Sequence, residues 1–174
     1  MDILKDYERH TFNPTVDDKS LLPKAQGVYA ICAYNVENIK SIMNDVTLQF
    51  IGDSPVIYIG ISESQGLEKR DYKNHFNGIA RNSTLRKSIG SLFDFNRIFY
   101  KDGKYKFTLE DEEKLTKWMH ENLFFYYWLV DRDIKETETE LINLISPPLN
   151  LSKNKSPVNK EFRSRLSELR NRKV

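Results

Sequence analysis

The sequence predicts an α+β fold: a small central, mostly antiparallel three-stranded sheet flanked by helices, with an extra hairpin or strand and a basic C-terminal helix beside it. Three observations lead there. The runs Val28-Tyr29-Ala30-Ile31-Cys32-Ala33-Tyr34, Val56-Ile57-Tyr58-Ile59-Gly60-Ile61 and Leu123 to Val130 are rich in β-branched and aromatic residues and bounded by turn formers, as strands are. Between them lie stretches whose apolar residues recur at helical spacing. The two kinds of segment are mixed along the chain, with no regular repeat that would mark a parallel sheet.

Taken in order, the first twenty-odd residues are polar and irregular and read as an N-terminal arm, 1–22. Lys24-Ala25-Gln26-Gly27 is turn-prone and leads into the first strand. Asn35 through Asp45 carries Val36, Ile39, Ile42 and Met43 at helical spacing, so a short helix that packs on something is expected. Gly52-Asp53-Ser54-Pro55 is a turn before the second strand. Helices are expected from about Gly66 to Phe76 and from about Thr84 to Phe93, the latter capped by Asn82 or Ser83. Arg97 to Lys106 reads as a hairpin around Asp102-Gly103. Thr108, with Asp111 three residues on, opens a helix that runs to about Glu121. After the aromatic strand, Asp131 or Asp133 opens a helix to Ile145 that Ser146-Pro147-Pro148 stops. Glu161 to Arg172 forms a last, basic helix. The organisation expected is one folded domain over 23–150, with an insertion at 35–55, and a basic tail at 151–174.

Composition narrows the function classes. No apolar run is long enough to span a bilayer, and the first residues do not resemble a signal peptide, so a cytoplasmic protein is expected. With Cys32 as its single cysteine, the chain has no internal disulfide and no thiolate zinc cluster. The net charge is only +2, but it is unevenly spread. The last 24 residues hold eight Lys or Arg against two Glu, whereas the preceding 150 hold 19 basic and 23 acidic groups. A basic tail on an acidic body suits a polyanion, and suits a solvated terminal helix equally well. His10 and His120 have no partners at metal-ligand spacing, and the seven glycines form no nucleotide-binding loop.

Three ordered blocks carry a more specific signal. Gly27-Val28-Tyr29 opens the first strand and Tyr58-Ile59-Gly60 closes the second. Leu67-Glu68-Lys69-Arg70 and Asn74-His75-Phe76 follow on one basic helix. Glu138-x-x-Leu141-Ile142 then precedes Pro147-Pro148-Leu149-Asn150. Together they resemble the GIY-YIG nuclease superfamily, in its small bacterial or phage form, over roughly Gly27 to Asn150. The resemblance implies catalytic roles for Tyr29, Tyr58, Arg70 and Glu138, with His75 added as in some members, and supporting roles for Gly27, Gly60 and Asn150. Glu138 and Asn150 are twelve apart, the spacing of the excision-repair incision nucleases of this superfamily. Tyr29 and Tyr58 are 29 apart, further than in compact members, which makes 35–55 an insertion in the first hairpin.

The chemistry explains the residue types. Phosphodiester hydrolysis needs an activated water, neutralisation of charge growing on phosphate and help for the leaving oxygen. A carboxylate such as Glu138 supplies hard oxygen ligation to Mg²⁺ or Mn²⁺. Arg70 suits a non-bridging phosphate oxygen, since its planar fork is always charged. The tyrosines, as the resemblance implies, hold the water. A tyrosine has an ordinary pKa of ~10, so one that accepts a proton needs cations nearby, with His75 as an alternative base or relay. Each role has a competitor: Tyr29 and Tyr58 as ordinary strand aromatics, Arg81 or Arg86 for Arg70, Glu136 or Glu140 for Glu138, and a purely structural Asn150. Glu138 shares a helix face with Leu141 and Ile142, whereas Glu140 points elsewhere.

The expected activity is divalent-metal-dependent endonucleolytic cleavage of DNA, with Lys69, Lys73, Arg81, Arg86, Lys87, Arg163 and Arg165 contacting nucleic acid. Ser83-Thr84-Leu85-Arg86-Lys87-Ser88 is a second place for a phosphate, with hydroxyls and cations at a helix start. A homodimer is compatible with the sequence. The alternatives are an inactive DNA-binding module of the same fold within a larger assembly, and a protein-interaction domain. The catalytic reading requires Tyr29, Tyr58, Arg70 and Glu138 to converge on one concave surface.

Overall fold

Every residue of the strand that begins at Gly27 is buried, which places it at the centre of a sheet covered on both faces. In the computed structural model, which describes residues 2–63, 66–131 and 133–172, the chain forms strands β1 (His10–Phe12), β2 (Gly27–Ala33), β3 (Phe50–Ile51), β4 (Ser54–Ser62), β5 (Arg97–Phe99), β6 (Tyr105–Phe107) and β7 (Leu123–Trp128). The helices are α1 (Thr84–Leu92), α2 (Leu109–Asn122), α3 (Ile134–Ile145) and α4 (Lys160–Asn171), with a π-helix at Glu68–Phe76. The main sheet has the order β1-β7-β2-β4-β3 and is antiparallel throughout, while β5 and β6 form a separate hairpin. The class is α+β as expected, and the sheet has five strands rather than three. Its centre is the expected trio; the added edges are three and two residues long, too short for alternation to be read in sequence. Phe12 secures β1 by packing on Phe125, with ring centroids 5.2 Å apart, and His10 stacks on Tyr127 at 4.9 Å. Among the described residues no helix is long and apolar enough to cross a membrane.

Alternation in β2 builds two cores. Tyr29 and Ile31 join Phe125, Leu85, Ile89 and Leu115 on one face. Val28, Ala30 and Cys32 meet Leu141, Ile142 and Ile145 of α3 on the other. Burial pushes the Cys32 thiol pKa up, so it behaves as a small apolar residue. The C-terminal helix belongs to the first core through Phe162 and Leu166. The link before it is pinned to the insertion, with Asn159 both accepting from Thr47 N (2.8 Å) and donating to Thr47 O (2.7 Å). Lys173, counted with the basic tail, lies outside the described residues.

Two expected helices come out differently. In the insertion, only Glu37–Ile39 forms a 3₁₀ turn, yet Ile39 and Met43 are buried in the main core, so the segment packs without being a regular helix. Asn35 caps the turn, its side-chain oxygen accepting from Asn38 N–H (3.0 Å), but the turn is not continued into a helix. The segment from Gly66 to Phe76 is helical, but over Glu68–Phe76 it winds as a π-helix and closes with Asn77 N–H donating to Tyr72 O.

The caps of α1 and α2 follow their sequence signals, whereas Asp133 precedes α3 without a side-chain cap bond. Ser83 accepts from Arg86 N–H at the start of α1, and Thr108 from Asp111 N–H at the start of α2. Arg86, one turn into α1, points inward and is fully buried. Its guanidinium donates to Glu112 Oε2 (2.7 and 3.1 Å), Glu112 O, Thr116 Oγ1, His75 O and Phe76 O. The other Glu112 oxygen accepts from Ala80 N–H (2.7 Å) and Phe107 N–H (3.1 Å). One ion pair thus joins the π-helix, α1, α2 and β6. Removing one partner of a buried pair strands the other charge. Arg86→Ala is therefore expected to destabilise the protein by about 3–5 kcal/mol, as read from urea unfolding; a loss under 1 kcal/mol on the order expected of a surface pair would count against this role.

Candidate active site

The two motif tyrosines meet because of strand register. Tyr29 on β2 lies opposite Gly60 on β4, and its ring lies across that glycine. A Cβ at position 60 would sit 2.4 Å from the Tyr29 hydroxyl oxygen, so only glycine admits the ring. Gly27 has a similar reason, since a Cβ there would come within 2.7 Å of the Trp128 carbonyl oxygen on β7. With its ring carried across the sheet, Tyr29 reaches the π-helix, where its hydroxyl makes a 2.8 Å hydrogen bond with His75 Nε2. His75 Nδ1 bonds Ser83 Oγ at 2.7 Å, the same oxygen that caps α1. The rings of Tyr29, Tyr58 and His75 form a triangle with centroid separations of 5.7 to 6.4 Å.

Tyr29 and His75 are wholly buried, whereas Tyr58 reaches outward. The Tyr58 hydroxyl bonds Thr84 Oγ1 (3.1 Å) and opens onto a cleft of about 420 Å³. Glu138, Thr84, Ser152, Ser167 and Arg170 share its wall with Tyr58. Glu138 turns into this cleft from the inner face of α3, while Glu136 and Glu140 are exposed on the outside. Its carboxylate pairs with Lys153. Asn150 also borders the cleft, but its amide is committed: Oδ1 accepts from Ile59 N–H and Nδ2 donates to Ile59 O, both at 2.8 Å. That pair of bonds clamps β4 beside Tyr58 and Gly60.

The structure thus brings Tyr29, Tyr58, His75 and Glu138 into one region, with Tyr58 and Glu138 largely buried but lining the cleft and Tyr29 and His75 behind them. Arg70 is half-buried on the π-helix and close enough for its charge to act on His75, but the cleft wall is formed by other residues. The expected nucleic-acid contacts divide. Arg86 is interior and bound to Glu112, and Arg163 is buried and donates to Ser156 O and Val158 O, so neither guanidinium faces a ligand. Both readings are corrected on that ground: helix spacing does not tell an outward arginine from one turned inward, to a buried acid as in Arg86 or to backbone carbonyls as in Arg163. Arg165 pairs with Asp45 (2.7 Å), Lys73 with Glu68 (3.1 Å), and Lys69 is exposed. Arg81 and Lys87 are half-buried.

Two residues, one on the cleft wall and one paired with Glu138, were invisible to motif reading. Arg170 and Lys153 entered only as part of the tail's charge, and nothing in their local sequence ties them to Tyr58 or Glu138. Arg170 stands near enough to Tyr58 and Tyr105 for their charges to interact, although burial lowers its pKa.

Burial, followed by the charges of Arg70 and Arg86, drives the His75 pKa from its ordinary 6.5 to about 3. The imidazole is therefore neutral near pH 7. It holds one N–H and one lone pair, one toward Tyr29 and the other toward Ser83. The unfolded chain takes up a proton at His75 as pH falls below 6.5 and the folded chain does not. The neutral histidine thus contributes stability that is complete above pH 6.5 and is lost as pH falls toward about 3. His75→Gln is expected to flatten this part of the pH–stability curve, measured by urea midpoints across that range, and an unchanged slope would refute the assignment.

No curated protein and no solved structure matched the chain. A family-level comparison matched residues 27–172 to the GIY-YIG catalytic domain. The matched span begins on Gly27, under the first tyrosine strand, and extends through α4, which carries Arg170 into the cleft; the chain belongs to the GIY-YIG catalytic domain family.

Proposed function

We propose that the protein is a divalent-metal-dependent DNA endonuclease whose reaction takes place in the cleft between Tyr58 and Glu138. The observation that carries this reading is the presence on one wall of a tyrosine hydroxyl, a carboxylate and the guanidinium of Arg170. Among the described residues no three acids, histidines or cysteines cluster at ligating distance. Glu138 alone would hold the ion, a donor set that fits Mg²⁺ or Mn²⁺, since such ions keep most of their coordination for water and phosphate. When bound, the ion supplies Lewis-acid polarisation of a phosphate oxygen.

The chain's own groups supply the rest. Tyr58, held by Thr84, positions the attacking water and takes its proton as the phenolate, having first lost its own proton to solvent, and the guanidinium of Arg170 stabilises that phenolate before the transfer. Arg170 meets the phosphate from the cleft wall, and Arg70 retains the phosphate role that family resemblance assigns to it. His75, neutral at working pH, acts as a hydrogen-bond partner that fixes Tyr29 rather than as a base. Asn150 keeps β4 in place.

One observation favours the alternative, a DNA-binding module without catalysis: Lys153 occupies the Glu138 carboxylate. In the nuclease reading Lys153 and the ion compete for that carboxylate. Lys153→Ala is then expected to tighten Mn²⁺ binding in the absence of DNA, as followed by electron paramagnetic resonance, whereas unchanged binding would argue against Glu138 as the ligand. Activity is tested on supercoiled plasmid with Mg²⁺ or Mn²⁺. Nicking should fall by about 10²–10⁴-fold in Tyr58→Phe and to background in Glu138→Ala. DNA binding without nicking, across several DNA forms and both ions, would support the binding module instead.

A further inference from the structure

The hairpin of β5 and β6 has no part in the chemistry above, yet its composition, Arg97-Ile98-Phe99-Tyr100-Lys101-Asp102-Gly103-Lys104-Tyr105-Lys106, interleaves cations with aromatic residues. Three successive side chains, Ile98, Phe99 and Tyr100, are exposed at 46%, 42% and 37%. The hairpin is joined to the cleft by a chain of cations. Arg170 lines the cleft, and its guanidinium donates to Ser88 Oγ on α1 at 3.4 Å. On the same helix the Lys87 ammonium lies over the Tyr105 ring of β6, 5.6 Å from its centroid. The Arg97 guanidinium packs on that ring as well, at 4.8 Å. Near the turn, Arg81 lies over Tyr100 at 4.1 Å and pairs with Asp102 through both nitrogens, at 2.8 and 3.2 Å.

We propose that this track, Arg170, Lys87, Arg81 and Lys104, together with the exposed aromatics of β5, is the surface on which DNA flanking the cleaved phosphate lies, and that the hairpin is its docking element. The proposal rests on the nuclease reading of the cleft. Its support is charge complementarity combined with contiguity. Lys87 is half-buried and feels the charges of Arg170, Lys104 and Arg81, with Asp102 opposing them, and Asp102 is already held by Arg81. Four cations crowded around one satisfied carboxylate repel one another, and a phosphate backbone relieves that repulsion. The rest of the body carries more acid than base, so the track is a local departure from the protein's average. Exposed Tyr100, Phe99 and Ile98 beside the cations suit a partner with sugars and base faces as well as phosphates, which distinguishes nucleic acid from a small anion.

The test measures binding of a fluorescein-labelled DNA duplex by anisotropy over a range of salt, in EDTA so that no cleavage occurs. Each of Lys87→Ala and Lys104→Ala is expected to weaken binding at every salt concentration and to make the log–log salt slope shallower by about 1. Tyr100→Ala should weaken binding with the slope unchanged, and Lys117→Ala on α2 should leave both unchanged. Thermal melting of each variant checks that the fold is kept. If wild-type binding is salt-dependent but the hairpin variants bind like wild type, the hairpin proposal is overturned and the nuclease reading of the cleft stands. If the wild-type protein binds no DNA, the reading on which the proposal rests fails first.

Discussion

A charged arginine in the interior sets the frame for the rest of the molecule. Arg86 reaches Glu112 through a buried ion pair, and between them they bind backbone groups of the π-helix, Ala80 and β6. The carbonyls of His75 and Phe76 are among these, at the end of the π-helix. The pair therefore fixes where the π-helix stops and, with it, where the imidazole lies. The same guanidinium adds to the positive field that keeps His75 neutral. The structural keystone and the protonation state of a site residue are thus one electrostatic arrangement.

Sequence reading reached those parts of the fold whose signals are local. Val28 to Tyr34, Val56 to Ile61 and Leu123 to Val130 announce the central strands through side-chain type, and Thr108 with Asp111 announces the start of α2. It also placed Glu138 on the inner face of its helix, because its phase with Leu141 and Ile142 separates it from Glu140. It stopped where a residue's role depends on a distant partner. His10 to Phe12 is a strand only because Phe125 and Tyr127 lie beside it. Arg86 reads as a surface cation until Glu112 is placed opposite. Arg170 reads as tail charge until α4 docks on α1.

The π-helix belongs between these cases. The sequence marks the segment up to Phe76 as helical, but not whether it winds as an α-helix or as the wider π-helix. It widens, and His75 still meets both Tyr29 and Ser83. A regular α-helix of the same sequence would rotate the imidazole relative to the tyrosines. The wider turn thus sets the three-ring contact of Tyr29, Tyr58 and His75.

Arg97, the first residue of β5, spends its guanidinium on the carbonyls of Leu169, Arg170 and Arg172, closing the end of α4. Tyr105 across the hairpin bonds Ser91 and also meets Arg170. The base of the hairpin and the last turn of α4 are therefore mechanically one piece. Any tilt of the hairpin against the sheet carries the Arg170 backbone with it and alters how far its side chain projects beside Tyr58. The fold contains a short lever, with its long arm in solvent and its short arm in the cleft.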